Sequence, residues 1–263
     1  MSDPASTTSQ SGPALETQGL RRVFGDLVAV DGIDLIVPRG SFYGFLGPNG
    51  AGKSTTIKCL TGLLKPTSGT CRILDMDPLK DPVAVKRRVG VVPEDLALFD
   101  RLSGAETLAF VGQVHGLDAA RIRARSAELF EVMDLARARD QLVADYSHGM
   151  RKKIALAAAL LPAPRMLFLD EPFEGIDAVA SREIKDLLSA FVKGGGTVFL
   201  TSHILEIVDR LCDHIGVINK GRMVAQGPIA ELRGDAGGTL EESFLELVGA
   251  GRTAGHVLDW LAG

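Results

Sequence analysis

One stretch of nine residues constrains the fold of this chain more than any other, because it fits the phosphate-loop pattern G-x-x-x-x-G-K-[ST]. It consists of Gly47, Pro48, Asn49, Gly50, Ala51, Gly52, Lys53, Ser54 and Thr55. The apolar run Ser41–Leu46 before it predicts a buried strand, and the residues from Thr55 to Leu60 predict the start of a helix. A glycine-rich turn without chemical meaning is the alternative. The complete match between a strand and a helix disfavours that alternative.

The residue types of this loop suit the binding of phosphate groups. Glycines allow positive φ angles and a close backbone approach, so that successive N–H groups can face one anion. The helix that follows adds the positive end of its dipole. Lys53 supplies a charge for the β- and γ-phosphates, and the hydroxyl of Ser54 is a ligand for Mg²⁺. The sequence therefore predicts a site for a nucleoside triphosphate with Mg²⁺.

Composition limits the class of protein. The chain has 263 residues and a net charge of −4, which gives no general reason to expect nucleic-acid binding. No apolar run reaches the roughly 18 residues that a membrane-spanning helix needs. Residues 1–13 are rich in Ser, Thr, Pro and Gly, which predicts a disordered leader rather than a signal peptide. Cys59, Cys71 and Cys212 are typical of buried thiols in a reduced protein, so a cytoplasmic location is expected.

Short apolar segments alternate with helical patterns along most of the chain, which predicts an α/β fold with a largely parallel sheet. The predicted strands are Ile33–Val37, Ser41–Leu46, Arg72–Leu74, Val89–Val92, Met166–Leu169, Thr197–Thr201, Ile215–Ile218 and Met223–Gln226.

Strand signals vanish between Ser103 and Leu161, where helical patterns replace them. The predicted helices are Gly104–Val114, Ala119–Met133 and Gly149–Leu161. We therefore expect a main domain over residues 14–233 with a helical subdomain inserted at about 95–162. Residues 234–263 are predicted to form a C-terminal helical tail, in which Leu240–Val248 carries apolar side chains at helical spacing.

Two acidic residues, Asp170 and Glu171, follow the predicted strand Met166–Leu169. Ligands of doubly wound sheets bind at the carboxyl ends of strands, where these acids are expected to lie. Asp170 is expected to hold Mg²⁺ beside Ser54, directly or through water. Glu171 is expected to polarise the water that attacks the γ-phosphate. A plain turn before a helix is the alternative, and the phosphate loop favours the catalytic interpretation.

A second anion site is possible at the turn Tyr146–Met150, which leads into a long apolar helix. A serine at the start of a helix is ordinarily an N-cap. An N-cap, a glycine and the free N–H groups of the first helical turn can also bind an anion.

The order of these motifs resembles the ATP-binding subunit of an ABC transporter, over about Leu15 to Arg233. The resemblance implies a P-loop NTPase core with a mostly parallel sheet, an antiparallel β subdomain and an inserted α-helical subdomain. In that family a Leu-Ser-Gly-Gly-Gln motif contacts the γ-phosphate of ATP held by the opposite subunit. Ser147 and Gly149 match this motif, whereas His148 replaces its first glycine and the glutamine is absent.

The resemblance implies three further site residues. Phe24 lies where the family has an aromatic residue that stacks on adenine, although a lone Phe is more often part of a core. Asp177 belongs to a Gly-Ile-Asp loop that resembles the one communicating across the dimer, and it could equally be a helix cap. His203 resembles the switch histidine that contacts the γ-phosphate, and Lys53 and Glu171 complete the catalytic set.

Two departures from the family pattern affect the site. The family usually has Gln after the strand that matches Val89–Val92, and this chain has Glu94 at that place. We predict that Glu94 is a ligand of Mg²⁺, because this ion accepts carboxylates readily. The alternative is that Glu94 faces solvent. His148 could make dimerisation pH-sensitive, or it could simply face solvent at the start of the helix.

The resemblance implies an ATPase that dimerises around ATP with a second, identical subunit and drives a separate integral-membrane permease. Such a subunit is cytoplasmic, lies at the inner face of the cell membrane and binds no nucleic acid. Leu240–Val248 resembles the closing helix of export-type subunits, which implies export. The alternatives are a soluble ABC ATPase that acts on ribosomes or DNA, and a nucleotide-sensing module with little turnover. The chain has one cassette and intact Lys53, Asp170, Glu171 and His203, which argue against them.

Overall fold

The computed structural model describes residues 12–233 and 239–249. Within these ranges the strands are β1 Leu15–Phe24, β2 Leu27–Val37, β3 Phe42–Leu46, β4 Ser68–Ile73, β5 Val89–Val92, β6 Met166–Asp170, β7 Thr197–Ser202, β8 His214–Asn219 and β9 Arg222–Pro228. The helices are α1 Lys53–Leu60, α2 Pro82–Lys86, α3 Gly104–Val114, α4 Ala119–Val132, α5 His148–Leu160, α6 Ala178–Lys193, α7 Leu205–Leu211, α8 Ile229–Leu232 and α9 Leu240–Leu247.

The main sheet has six strands in the order β5-β6-β7-β3-β8-β9. All neighbouring pairs are parallel except β8 and β9, which form an antiparallel hairpin. Every residue of β3 and β6 is buried, as expected for parallel strands covered by helices on both faces. The predicted parallel α/β sheet is confirmed. Its topology brings the carboxyl ends of β3, β5, β6 and β7 to one edge.

A second, three-stranded antiparallel sheet has the order β2-β1-β4. The sequence did not predict β1, because only part of it is buried and its polar residues break the apolar pattern. Register shifts also interrupt its pairing, and Gly19 lies at one of them with a φ angle of 57°. Such irregularities obscure the strict alternation on which strand prediction relies.

Helices α3, α4 and α5 form the inserted helical subdomain, as predicted. Helix α3 has the predicted bounds, and Ser103 caps it in a reciprocal box with Glu106. Helix α4 ends one residue earlier than predicted, and α5 begins one residue earlier. Between residues 103 and 161 the structure contains no strand, only an isolated bridge between Ser103 and Leu142.

The core lies on both faces of the main sheet. The ring of Phe199 stands at the centre of one face, with ring centroids 5.3–5.7 Å from those of Tyr43, Phe45 and Phe168. The three cysteines are free and buried in the core, as expected. No helix within residues 12–233 and 239–249 is long and apolar enough to cross a membrane.

Helix α9 docks on the core through Leu240, which is 4% exposed. The side-chain amide of Asn219 donates a hydrogen bond to the carbonyl of Val248 at 3.1 Å. This helix lies within the predicted tail, at Leu240–Leu247. Residues 234–238 and 250–263 of the tail, and residues 1–11 of the predicted leader, lie outside the described residues.

Leu240→Ala is expected to lower the free energy of unfolding by about 2 kcal/mol, because it empties a buried leucine site. Leu245 on the same helix is 39% exposed, and Leu245→Ala is the matched control with an expected change below about 0.5 kcal/mol. Denaturant unfolding of both variants measures the difference. Equal losses in the two variants would contradict the docking of α9.

Candidate functional site

The phosphate loop connects the end of β3 with the start of α1, as the sequence predicts. Gly52 has a φ angle of 108°, and a Cβ atom there would overlap the carbonyl oxygen of Ala29. A Cβ at Gly47 would overlap the carbonyl oxygen of Ile218. The loop therefore packs its backbone directly against β2 and β8, and only glycine fits at these two positions.

Lys53 is buried at the first position of α1, with 7% of its surface exposed. Its ammonium group donates a hydrogen bond to the carbonyl of Gly47 at 2.8 Å. It also lies 3.5 Å from the carboxylate of Glu171. The lysine is thus folded over the loop with its charge turned towards the concave side.

A cleft of about 720 Å³ opens above the loop. It is lined by Leu27, Val28, Ala29, Asn49, Gly50, Ala51, Gly52, Lys53, Ser54, Thr55, Glu94, Glu171, Glu174, His203, Lys220 and Gly221. The structure therefore brings most of the predicted loop together with three of the other predicted residues. Gly47 and Pro48 are not among the lining residues. The carbonyl of Gly47 accepts the hydrogen bond from Lys53 described above.

Sequence reasoning missed the parts of the cleft wall that come from distant segments. Leu27, Val28 and Ala29 come from the start of β2, and Lys220 and Gly221 come from the turn between β8 and β9. The main-chain N–H of Gly221 bonds the carbonyl of Ala51 at 2.9 Å, which ties this turn to the phosphate loop. The Lys-Gly pair predicts a turn, but nothing in the sequence indicates where the turn packs.

The two acids lie at the end of β6, as predicted, and both are buried. Asp170 accepts a hydrogen bond from the hydroxyl of Thr201 on β7 at 2.6 Å. Glu171 accepts one from the main-chain N–H of His203 at 3.3 Å, and the Nδ1 atom of that histidine lies 3.0 Å away. Lys53, Glu171 and His203 therefore meet at one point of the cleft.

Glu94 follows β5 and lines the cleft, although it stays exposed to solvent. Burial raises the pKa of this carboxyl, and the charges of Asp170, Glu174 and Glu171 raise it further. Glu94 lines the cleft and is also exposed to solvent, so its role as a ligand of Mg²⁺ stays a prediction beside the solvent-facing alternative.

The acids of the cleft fit Mg²⁺ bound together with a nucleotide better than a metal held by protein alone. Among the described residues, no group of three or more His, Cys, Asp or Glu side chains forms a metal cage. Protein-bound Mg²⁺ generally uses one or two carboxylates, several waters and the substrate phosphates. Burial raises the pKa of Glu94 most, and the charges of the neighbouring acids add a repulsion that a divalent cation would relieve.

Phe24 ends β1 and is not among the residues that line the cleft. Its ring lies under the guanidinium group of Arg22, 4.3 Å from it. The ring is 40% exposed, so it is not part of the core. Its contact with adenine stays a prediction.

Ser147, His148, Gly149 and Asp177 lie together, but outside the cleft of their own chain. The hydroxyl of Ser147 accepts a hydrogen bond from the N–H of Met150 at 3.3 Å and caps α5. Asp177 caps α6 by accepting bonds from the N–H groups of Val179 and Ala180, both at 2.9 Å, and these bonds lower its pKa.

The side chain of His148 packs beside the loop Gly175–Asp177. A Cβ atom placed on Gly175 would lie 3.2 Å from the Nε2 atom of His148. The turn Ser147–Gly149 and the loop Gly175–Asp177 thus form one exposed surface. Both helix caps are satisfied within the chain, and the remaining N–H groups at the start of α5 are available to an outside anion.

Glu94→Gln is expected to raise the melting temperature of the ligand-free protein at pH 7. The pKa of Glu94 is raised on folding, so its charged form is disfavoured in the folded state. This penalty is complete above the raised pKa and disappears below the ordinary value of about 4.3. The stabilisation should therefore shrink as pH falls from 7 to 4.

Thermal unfolding between pH 4 and 8 without nucleotide or Mg²⁺ measures this effect. Glu131→Gln on the exposed face of α4 is the control, because Glu131 lies outside the cleft. A pH-independent difference between Glu94→Gln and the unmodified chain would contradict a raised pKa of Glu94 in the folded state.

Comparison with known proteins agrees with this geometry. The family model described as ABC transporter matches residues 30–174, which is more than half of the chain. A daunorubicin/doxorubicin resistance ATP-binding protein of Streptomyces peucetius is 44% identical over 85% of this chain and 68% of its own length. A Nod factor export ATP-binding protein of Cupriavidus metallidurans is 41% identical over 83% of this chain and 72% of its own length.

Solved structures give the same result. A structure described as the ATP-binding subunit of an ABC transporter superposes with a TM-score of 0.84 at 30% identity, covering 89% of this chain and 99% of the other. CbiO1 of Clostridium perfringens, part of an ABC transporter complex, superposes with a TM-score of 0.74 at 30% identity. The superposition covers 84% of this chain and 90% of the CbiO1 chain. The chain therefore belongs to the ABC transporter family, as an ATP-binding ATPase subunit with the P-loop NTPase fold.

Proposed function

We propose that this subunit hydrolyses ATP with Mg²⁺ to power export through a separate integral-membrane permease. The convergence of Lys53, Glu171 and His203 over the phosphate loop is the observation that carries the proposal. The names of the relatives, which refer to drug resistance and Nod factor export, support the direction of transport. The proposed location is the cytoplasmic face of the cell membrane, where the subunit is held by its contact with the permease.

Each of the predicted catalytic and metal-binding residues has a proposed role. The loop N–H groups and Lys53 hold the β- and γ-phosphates, so the ammonium exchanges the carboxylate of Glu171 for phosphate oxygens. Glu171 accepts a proton from the attacking water, and His203 holds the carboxylate and the γ-phosphate in line. Ser54, Asp170 and Glu94 would hold Mg²⁺, which supplies charge neutralisation at the phosphates.

The second half of each site is proposed to come from a second copy of the chain. Ser147, His148, Gly149 and Asp177 lie away from the cleft, on an exposed surface that begins two helices. The N–H groups at the start of α5 suit the γ-phosphate of a nucleotide held by the partner. In a dimer with two ATP molecules at its interface, each ATP would contact the phosphate loop of one copy and the turn Ser147–Gly149 of the other.

Glu171→Gln is expected to reduce kcat for ATP hydrolysis by 10²- to 10⁴-fold, the usual scale for a positioned base. The amide keeps the shape of the side chain, so the ATP dissociation constant should stay within about threefold. Glu174→Gln is the matched control, since Glu174 lines the same cleft and has no assigned role in proton transfer. Single-turnover hydrolysis and equilibrium ATP binding are the measurements. Normal turnover in Glu171→Gln would overturn the proposed base.

A groove on another face supports a membrane partner. It has a volume of about 430 Å³ and lies between β5, the segment 93–99 and helices α3 and α5. Phe99 and Phe110 meet edge to face at its rim, with ring centroids 5.2 Å apart, and they are 56% and 43% exposed. An exposed apolar groove is typical of a protein-binding site. The segment that begins with Glu94 also lines the groove through Leu96 and Leu98, so a partner bound here is one short segment away from the cleft.

We propose that an amphipathic cytoplasmic segment of the permease occupies this groove. Phe110→Glu is expected to abolish co-purification with the permease and to leave the ATPase activity of the isolated subunit within about twofold. Ile36→Glu is the matched control, because Ile36 is an exposed apolar residue on β2, outside the groove. Affinity purification from membranes that contain the permease partner is the measurement. Retention of Phe110→Glu by the permease would contradict this docking site.

A further inference from the structure

Lys152 is a buried lysine that the proposed mechanism does not use. It lies on α5, one helical turn after the cap Ser147, and is 5% exposed. Its ammonium group donates a hydrogen bond to the main-chain carbonyl of Glu171 at 2.7 Å. Burying an ammonium group is costly unless it is bonded to polar groups, so this contact is a specific feature of the fold.

The backbone of Glu171 needs such a contact, because its conformation is unfavourable. Glu171 has a φ angle of 47°, in the left-handed region that residues other than glycine avoid. Conformations of this kind persist only where several surrounding contacts fix them. Here the N–H of Glu171 donates to the hydroxyl of Thr201 at 3.0 Å, and its carbonyl accepts bonds from Lys152 and from the N–H of Glu174 at 3.3 Å.

Lys152 is also the cation that faces the acids of the cleft from the side of α5. Burial lowers its pKa, while the charges of Glu174, Glu171 and Glu94 act in the opposite direction. Lys53 approaches Glu171 from the other side, and its charge is needed for phosphate. The charge of Lys152 is not needed for phosphate, since its ammonium group donates to the backbone carbonyl of Glu171.

We propose that Lys152 is a positioning residue for Glu171. It fixes the peptide that follows β6, so that the carboxylate stays directed at the cleft while Lys53 moves to the nucleotide. The same helix begins with the turn that is proposed to contact the partner's ATP. Lys152 therefore connects the turn Ser147–Gly149 of a chain to the carboxylate in the cleft of the same chain. This inference rests on the proposed role of Glu171 as the base.

Lys152→Met tests the proposal, since methionine keeps the apolar stem and removes the donor. The expected result is a loss of kcat on the order of 10- to 100-fold, the scale of a slightly misplaced catalytic group, with the ATP dissociation constant within threefold. Lys153→Met is the matched control. Lys153 is equally buried on α5 but pairs with Glu183 of α6, so its loss should lower the melting temperature and leave kcat within threefold.

Lys152→Arg keeps a cationic donor and is expected to restore kcat to within fivefold of the unmodified chain. If Lys152→Met does not fold, Lys152→Leu gives the same test, because leucine also removes the donor. Unchanged kcat in a folded Lys152→Met or Lys152→Leu protein would overturn the proposal, as would a parallel loss of ATP affinity. Normal hydrolysis by Glu171→Gln would instead refute the base on which the proposal rests, so the two failures are distinguishable.

Discussion

The contact between the Lys53 ammonium and the Glu171 carboxylate, 3.5 Å apart and both buried, is the interaction on which the site depends. It exists because parallel strands β3 and β6 end at the same edge of one sheet. The lysine that we propose for phosphate and the carboxylate that we propose for water are thereby held in one cleft. Each group neutralises the other, so neither of the two buried charges is unpaired.

The elements around this contact constrain its geometry. The loop glycines allow the backbone to approach β2 and β8, which sets the position of Lys53. On the other side, Thr201 and Lys152 hold the peptide of Glu171 in a left-handed conformation. These supports come from β7 and α5, and the latter begins at the surface that we propose faces a second subunit. The active site is therefore supported by α5, the same helix that would transmit dimerisation.

The sequence predicted the parts of the site that a local pattern defines. The phosphate loop is contiguous, and the acids follow a buried apolar strand, so both could be placed on the fold before their contacts were known. Strand β1 and the wall around Leu27 and Lys220 could not be predicted, because partial burial and long-range packing leave no local periodicity. Lys152 lies in a basic run that resembles a solvated helix face, and only the fold shows that its ammonium group reaches Glu171. The proposed adenine contact of Phe24 and the proposed partner contacts of Ser147 involve molecules outside the chain, so the fold does not test them.

A crystal structure of the Glu171→Gln variant with ATP and Mg²⁺ tests the central claim most directly. We predict that the Lys53 ammonium leaves residue 171 and lies within about 3 Å of the β- and γ-phosphate oxygens. The side chain at position 171 should remain beside His203 and face the γ-phosphate through a water molecule. ATP bound outside the loop cleft, or a residue 171 turned away from the γ-phosphate while Lys53 keeps its present partners, would contradict the account.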